Sequence, residues 1–267
     1  MRKYRGSAGA KPEARGGGFK TRGLRLFEDA KNDEGEKIQK KIVDFKLEAG
    51  EKKRPVVILD NDLDFAVRMH KGFKHDGTWA NMVVCRSALD DTRGCPLCDV
   101  LERRFSWYLV GTLIDMGTWS PDKGKNAGKV YRNFRRLLLI PDSVAETFEA
   151  QGEELETWRG SRFKVSRSTK DKSLRIGDSW VYDHKGGCMS EQELMDEFEE
   201  QAGTYICSAE AYCAPYDYDK ILAPLPYERL LEIAEDLDSG AGAASTTRKS
   251  LAHSGTSTDG EVEDLPF

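Results

Sequence analysis

A mostly β domain with α additions is the fold class that this sequence predicts, on three observations. Short runs rich in β-branched and aromatic residues recur between turn signals. The dipeptide Asp76-Gly77 marks a two-residue hairpin turn. Helical patterns are confined to one interposed segment and to the last third of the chain.

The elements follow in order. Residues 1–24 are basic and glycine-rich, with Gly16-Gly17-Gly18 in their midst, and are expected to form a flexible arm. They lack the apolar stretch of a secretory signal, so the expected compartment is a reducing cytoplasm. Leu24, Leu26 and Phe27 begin a short amphipathic stretch, Ile42 to Leu47 alternate, and Pro55 to Leu59 form a buried-strand candidate. Phe65 to His75 and Thr78 to Cys85 flank the Asp76-Gly77 turn as a hairpin. Ser106 to Met116 and Tyr131 to Ile140 are two further strands, joined by a Gly- and Lys-containing loop over 117–130. A helix over Val144 to Gln151 is expected to be capped by Asp142 or Ser143. Phe163 to Val165 and Ser179 to Tyr182 follow as strands. Ser190-x-x-Glu193 is a capping box that opens an acidic helix over 190–201, and Tyr227 to Asp236 is the last helix. Residues 238–267, first rich in Ser, Thr, Gly and Ala and then acidic, are expected to be a disordered linker and tail. Five or more short strands with one interposed helix fit an OB-type barrel over 25–237, with an inserted metal-binding hairpin over about 64–100. Periodicity alone leaves other small barrels open.

The net charge of -5 conceals an asymmetry. Residues 1–136 carry 29 Lys and Arg against 19 Asp and Glu, whereas residues 137–267 carry 12 against 27. A basic half followed by an acidic half predicts a polyanion site in the first and a masking or partner-binding role in the second. No apolar run is long enough for a membrane span.

Six cysteines do not form a disulfide pattern, because three crowd into the short stretch Cys85, Cys95 and Cys98. Cys95-Pro96-Leu97-Cys98 is a C-x-x-C knuckle, and three thiolates need a fourth ligand to close a tetrahedral zinc site. His70 and His75 are the candidates. If Asp76-Gly77 is a two-residue turn, His75 faces Thr78, His70 faces Val83 and Cys85 faces Arg68. Alternation then puts His70 on the sheet face of Cys85 and His75 on the other. His70 is therefore the expected ligand, and a three-residue loop would reverse the choice. A closed four-ligand site is structural. The H-x-E signature of zinc deaminases is absent, because His70 is followed by Lys71-Gly72 and His75 by Asp76-Gly77.

Basic residues interleave with aromatics at Lys71 to Lys74, Arg103 to Tyr108 and Tyr131 to Arg136. Sequence-independent binding of a single strand needs this combination, cations tracking phosphates while rings stack on unpaired bases. The expected contacts are Lys71, Lys74, Trp79, Arg104, Trp107, Tyr108, Arg132, Phe134 and Arg136. Arg132, Phe134 and Arg136 are expected to share the face that meets the ligand.

The chain stops at Asp264-Leu265-Pro266-Phe267 within an acidic stretch, a charged tether with an apolar hook suited to docking on another protein. This tip is similar to the acidic, Pro-Phe-terminated tip of bacterial single-stranded-DNA-binding proteins. The set His70, Cys85, Cys95 and Cys98 resembles the zinc subdomain of T-even-type bacteriophage single-stranded-DNA-binding proteins. The cysteine spacing matches that family, whereas His70 lies somewhat further from Cys85, and His75 somewhat nearer, than its pattern. The resemblance implies an OB-fold core with a structural Zn2+, coating of single-stranded DNA in replication, recombination and repair, and a basic arm that promotes cooperative self-association. It also implies recruitment of replication and recombination proteins through the tail, in the cytoplasm of a bacterial host. The rival expectation is a zinc-ribbon-type accessory factor that binds duplex nucleic acid or protein. An enzyme is not expected, because Asp, Glu and His do not cluster outside the metal ligands.

Overall fold

The computed structural model describes residues 27–31, 37–71, 73–75, 78–80, 83–88, 93–102, 105–120, 128–170, 173–204 and 207–238. The expected N-terminal arm, the linker and the acidic tail with Asp264, Leu265, Pro266 and Phe267 lie outside the described residues.

The first described elements, β1 (Phe27–Lys31) and β2 (Lys37–Lys41), pair antiparallel as a separate ribbon. Next, β3 (Arg54–Ile58) and β4 (Phe65–His70) belong to the main sheet. A second ribbon, β5 (Phe73–His75) with β6 (Thr78–Ala80), follows, and β7 (Val83–Val84) returns beside β4. The long hairpin β8 (Phe105–Trp119) and β9 (Tyr131–Pro141) forms the spine, and β10 (Arg162–Ser166) and β11 (Ser179–Tyr182) complete the sheet. Its strand order is β11-β10-β3-β8-β4-β7, with β9 also paired to β8.

β8 organises this arrangement. One of its edges serves β4 through residues 105–110 and β3 through residues 113–115, while β9 runs along the other. Asp60 fills the break between β3 and β4, accepting a hydrogen bond from the Thr112 N–H (2.5 Å). Tyr218 Oη, at the start of α5 (Tyr218–Ile221), donates to the other Asp60 oxygen at 2.6 Å and lies 2.7 Å from Thr112 Oγ1. This buried triad therefore ties the C-terminal segment to the middle of β8.

Pro55 to Leu59 shows no polar alternation because both sheet faces are covered. Val56 and Ile58 face a core with Phe148 of α2 (Asp142–Glu153), together with Trp158, Phe163 and Trp180. Val57 and Leu59 face Leu194, Phe198 and Ala202 of α3 (Glu191–Thr204) and Tyr212 of α4 (Ala209–Cys213). The one-turn spacing of those α3 residues is the apolar stripe of a surface helix. The expected capping box opens α3: Ser190 N–H donates to Glu193 (2.7 Å), and the Glu193 N–H donates to Ser190 Oγ (3.3 Å). α2 differs, for it begins at Asp142 behind Pro141 with no side-chain cap, so neither Asp142 nor Ser143 caps it.

The sheet is mostly antiparallel, but it does not close into the expected barrel. Among the described residues, the outer edge of β9 meets the preceding chain at one parallel bridge, Asp44 to Leu137, and β11 and β7 end the strand order. A barrel needs continuous pairing from first strand to last. No described helix is long and apolar enough to cross a membrane.

Candidate metal centre and its aromatic flank

The hairpin register places the candidate metal ligands. Met69 pairs with Val84, His70 with Val83 and His75 with Thr78, as a two-residue turn requires. The Cys85 N–H donates to the Arg68 carbonyl at 2.8 Å, which keeps Cys85 in the same ladder. The pairing is nonetheless split, since β5 and β6 form their own ribbon rather than prolonging β4 and β7. Facing therefore does not carry across the break. Phe73, which continuous alternation puts on the face opposite His70, is buried against Cys85 and Cys95.

Cys95 is the residue before α1 (Pro96–Val100), and Pro96 occupies the first helical position, where its fixed φ starts the turn without losing a needed N–H. Gly94, at φ 69°, supplies the left-handed residue that turns the chain into the knuckle. One helical turn then brings Cys98 back beside Cys95, with the Cys98 N–H donating to the Cys95 carbonyl at 2.9 Å.

His70, Cys85, Cys95 and Cys98 thus converge, with every ligand atom within 4.8 Å of the others. His70 Nε2 lies 3.5 Å from Cys95 Sγ and 3.7 Å from Cys98 Sγ, and Cys85 Sγ lies 3.5 Å from Cys98 Sγ. Zinc bonds of about 2.3 Å to sulfur and about 2.0 Å to nitrogen put tetrahedral ligands roughly 3.5–3.8 Å apart, so these separations fit a four-coordinate ion. His70, Cys85 and Cys95 are buried and Cys98 is partly buried, and Ser87 supports the cluster from outside, its Oγ 3.0 Å from Cys85 Sγ and 3.9 Å from Cys98 Sγ. Hydrogen bonding with Cys95, then with Ser87, lowers the Cys85 thiol to about 7 against the cost of burial. The same bond with Cys85, followed by burial, raises Cys95 to about 11, and burial raises Cys98. A divalent metal takes the place of the thiol protons on binding. None of the six cysteines is in a disulfide. The side chain of the other candidate, His75, lies outside the described residues.

A helix distant in sequence completes this module. α6 (Tyr227–Asp238) buries Leu230, Ile233 and Ala234 against Phe73, Cys85, Cys95 and Leu97. Arg93 clasps it from the metal side, its guanidinium 4.7 Å from the Tyr227 ring centroid and 3.3 Å from a Glu228 oxygen. Sequence reasoning found this helix but not its seat. The spacing of Leu230, Ile233 and Ala234 signals an apolar stripe without naming its partner.

The expected ligand-binding residues divide. Trp107 is among the exposed large hydrophobics, at 38%. Lys71 Nζ donates to Tyr108 Oη at 2.8 Å, which brings two of the expected residues together. Arg132 is exposed and pairs with Glu200 at 3.6 Å. Phe134 departs from expectation: it is 3% exposed, with the Arg136 guanidinium 4.7 Å from its ring centroid, and offers no open face. The cause is a β-bulge between Asp115 and Thr118 with Asn133 at φ 59°, which breaks the alternation assumed for Arg132, Phe134 and Arg136. Arg104 and the side chains of Lys74 and Trp79 lie outside the described residues. Sequence reasoning missed Arg68 and Phe105. Arg68 lies opposite Trp107 and Phe105 opposite His70, and the hairpin register alone was enough to give the first facing residue of Cys85 as Arg68. Compared with protein-family models, curated proteins and solved structures, the chain matches none.

Proposed function

We propose that this protein is a non-enzymatic, sequence-independent single-stranded-DNA-binding protein whose Cys3His cluster holds a structural Zn2+. The observation that carries the reading is the flank of β4 and β8. There the exposed Trp107 shares a strand face with Phe105, the partner of His70, while the Lys71–Tyr108 pair lies on the opposite face of β8. A ring with an open face stacks on an unpaired base, a cation follows the phosphates, and a duplex hides its base faces from such a platform. Four protein ligands leave no position for a metal-bound water, so the ion would staple the fold and not react. Zinc suits three thiolates and an imidazole at these separations.

The strand order supports an OB-type core. If β3 and β4 count as one interrupted strand, they are followed by β8, β9, the interposed α2, β10 and β11, with β10 returning to pair with β3. That is compatible with a partly open, five-stranded Greek-key arrangement. In this reading the protein coats DNA in phage replication, recombination and repair within a bacterial cytoplasm, and its acidic tail recruits partner proteins.

The test is fluorescence anisotropy with a labelled oligothymidine and a labelled duplex of equal length. The proposal expects at least tenfold tighter binding of the single strand, with affinity falling as salt rises. Equal affinity for both would favour an accessory factor that uses the metal module to dock on duplex or protein.

A further inference from the structure

Arg68 stands on β4 two residues before the candidate metal ligand His70. It projects from β4 between Phe105 and Trp107, two residues apart on β8 and hence on one face of that strand. Its guanidinium carbon lies 5.1 Å from the Phe105 ring centroid and 5.1 Å from that of Trp107. Both distances are within cation–π range. Phe105 in turn meets the metal ligand His70 edge to face, with ring centroids 6.3 Å apart at 85°. The chain of contacts therefore runs from metal ligand to ring, to guanidinium, to exposed indole.

Two features make this more than packing. Among the described residues Arg68 has no carboxylate partner, and its Nε is shielded from solvent without a hydrogen-bond acceptor. Arg135 and Arg162 also bury an Nε without an acceptor, but Arg135 donates through another guanidinium nitrogen to the Ala214 carbonyl, and Arg54 pairs with Asp115. Arg68 is thus a positive charge held in place by rings, with no counter-charge among the described residues. An arginine fork prefers a planar or tetrahedral oxyanion. Trp107 beside it, 38% exposed, supplies apolar ring surface.

We propose that Arg68, Phe105 and Trp107 form a nucleotide subsite at the edge of the metal module: Arg68 takes a backbone phosphodiester, and Trp107 stacks on the adjoining base. Phe105 is a positioning residue that couples the subsite to His70. This rests on the single-strand reading above. The shared ligand chemistry is a phosphodiester next to an unpaired base, which DNA and RNA both supply.

The experiment measures affinity of the full-length, metal-loaded chain for oligothymidine and for oligouridine across a salt series, in wild type, Arg68→Gln, Arg68→Lys and Trp107→Ala. Each phosphate contact contributes about 0.7 to the slope of log affinity against log salt on a single strand. Arg68→Gln should flatten that slope by about 0.7, Arg68→Lys should restore it, and metal content should stay at the wild-type level. Trp107→Ala should weaken binding by roughly 5- to 150-fold, the fold-change that stacking of one base implies. The strand on which these effects are larger identifies the sugar. A wild type that binds single strands while Arg68→Gln keeps the full slope would overturn the subsite and leave the single-strand reading standing. A wild type that binds neither strand would overturn both. If Arg68→Gln loses metal, the Arg68→Lys and Trp107→Ala comparisons decide alone, and an unchanged affinity in Trp107→Ala refutes the subsite.

Discussion

Truncating Leu230 should loosen the metal as well as the fold. This side chain is completely buried on α6, in the cluster that contains Cys85, Cys95 and Leu97. Replacing a buried leucine by alanine costs about 2–5 kcal/mol, part of it for the cavity left behind. The cavity in Leu230→Ala opens in the wall of the metal module, so the cost falls on the state that holds the ligands together. If about 2 kcal/mol of it is felt by the metal-bound arrangement, affinity for the ion drops roughly 30-fold, since each 1.4 kcal/mol is a factor of ten. The assay is competition for the metal against a chromogenic chelator at neutral pH. Phe148→Ala is the control, because Phe148 is also buried but packs with Trp158 and Trp180 in a separate cluster that contains none of the candidate metal ligands. Leu230→Ala should release metal at lower chelator concentration, and Phe148→Ala should lower thermal stability without moving the chelator midpoint. Equal midpoints for Leu230→Ala and wild type, alongside a lowered melting temperature, would refute the idea that α6 belongs to the metal module.

Three further outcomes are expected. Cys95→Ser should remove stoichiometric metal and lower the melting temperature, and elemental analysis showing one equivalent retained would contradict the ligand assignment. Burial raises the Asp60 carboxyl to about 6 from its ordinary 3.8, partly opposed by its bonds from Tyr218 and Thr112. Folding therefore takes up a proton between those values, and stability falls as pH rises through that window. Relative to Asp60→Asn, the wild type should lose about 2 kcal/mol of unfolding free energy between pH 4 and pH 7, and parallel pH profiles in urea titrations would argue against a buried, protonatable Asp60. Deleting residues 259–267 should leave or raise affinity for single strands and weaken capture of partner proteins. A large drop in strand affinity would count against the tail as a docking element.

The metal set was legible in the sequence because two strictly local rules converge on it. A two-residue turn fixes which residues face one another, and alternation fixes which share a face, so His70 and Cys85 could be brought together before any tertiary contact was known. The knuckle at Cys95 to Cys98 needs only one helical turn. What escaped depended on chain segments far apart or on a local break of periodicity. The seat of α6 is set by contacts between residues 227–238 and 73–97, which no local pattern reports. Phe134 was misplaced because Asn133 adopts a left-handed backbone, and an asparagine in a strand-like run gives little warning of that. Closure of a barrel depends on edge pairing, and the bifurcated edge of β8 is invisible in strand propensities. Pro55 to Leu59 succeeded for the opposite reason. An uninterrupted apolar run is the direct signature of a strand covered on both faces, here by α2 and α3.

The most direct test of the central claim is a titration of the intrinsic tryptophan emission of the metal-loaded chain with unlabelled oligothymidine, set against an equal concentration of duplex. The account predicts saturable quenching by the single strand, reversed by added salt, with little response to duplex. Unchanged emission with the single strand, or identical quenching by both, would contradict a stacking, phosphate-tracking surface.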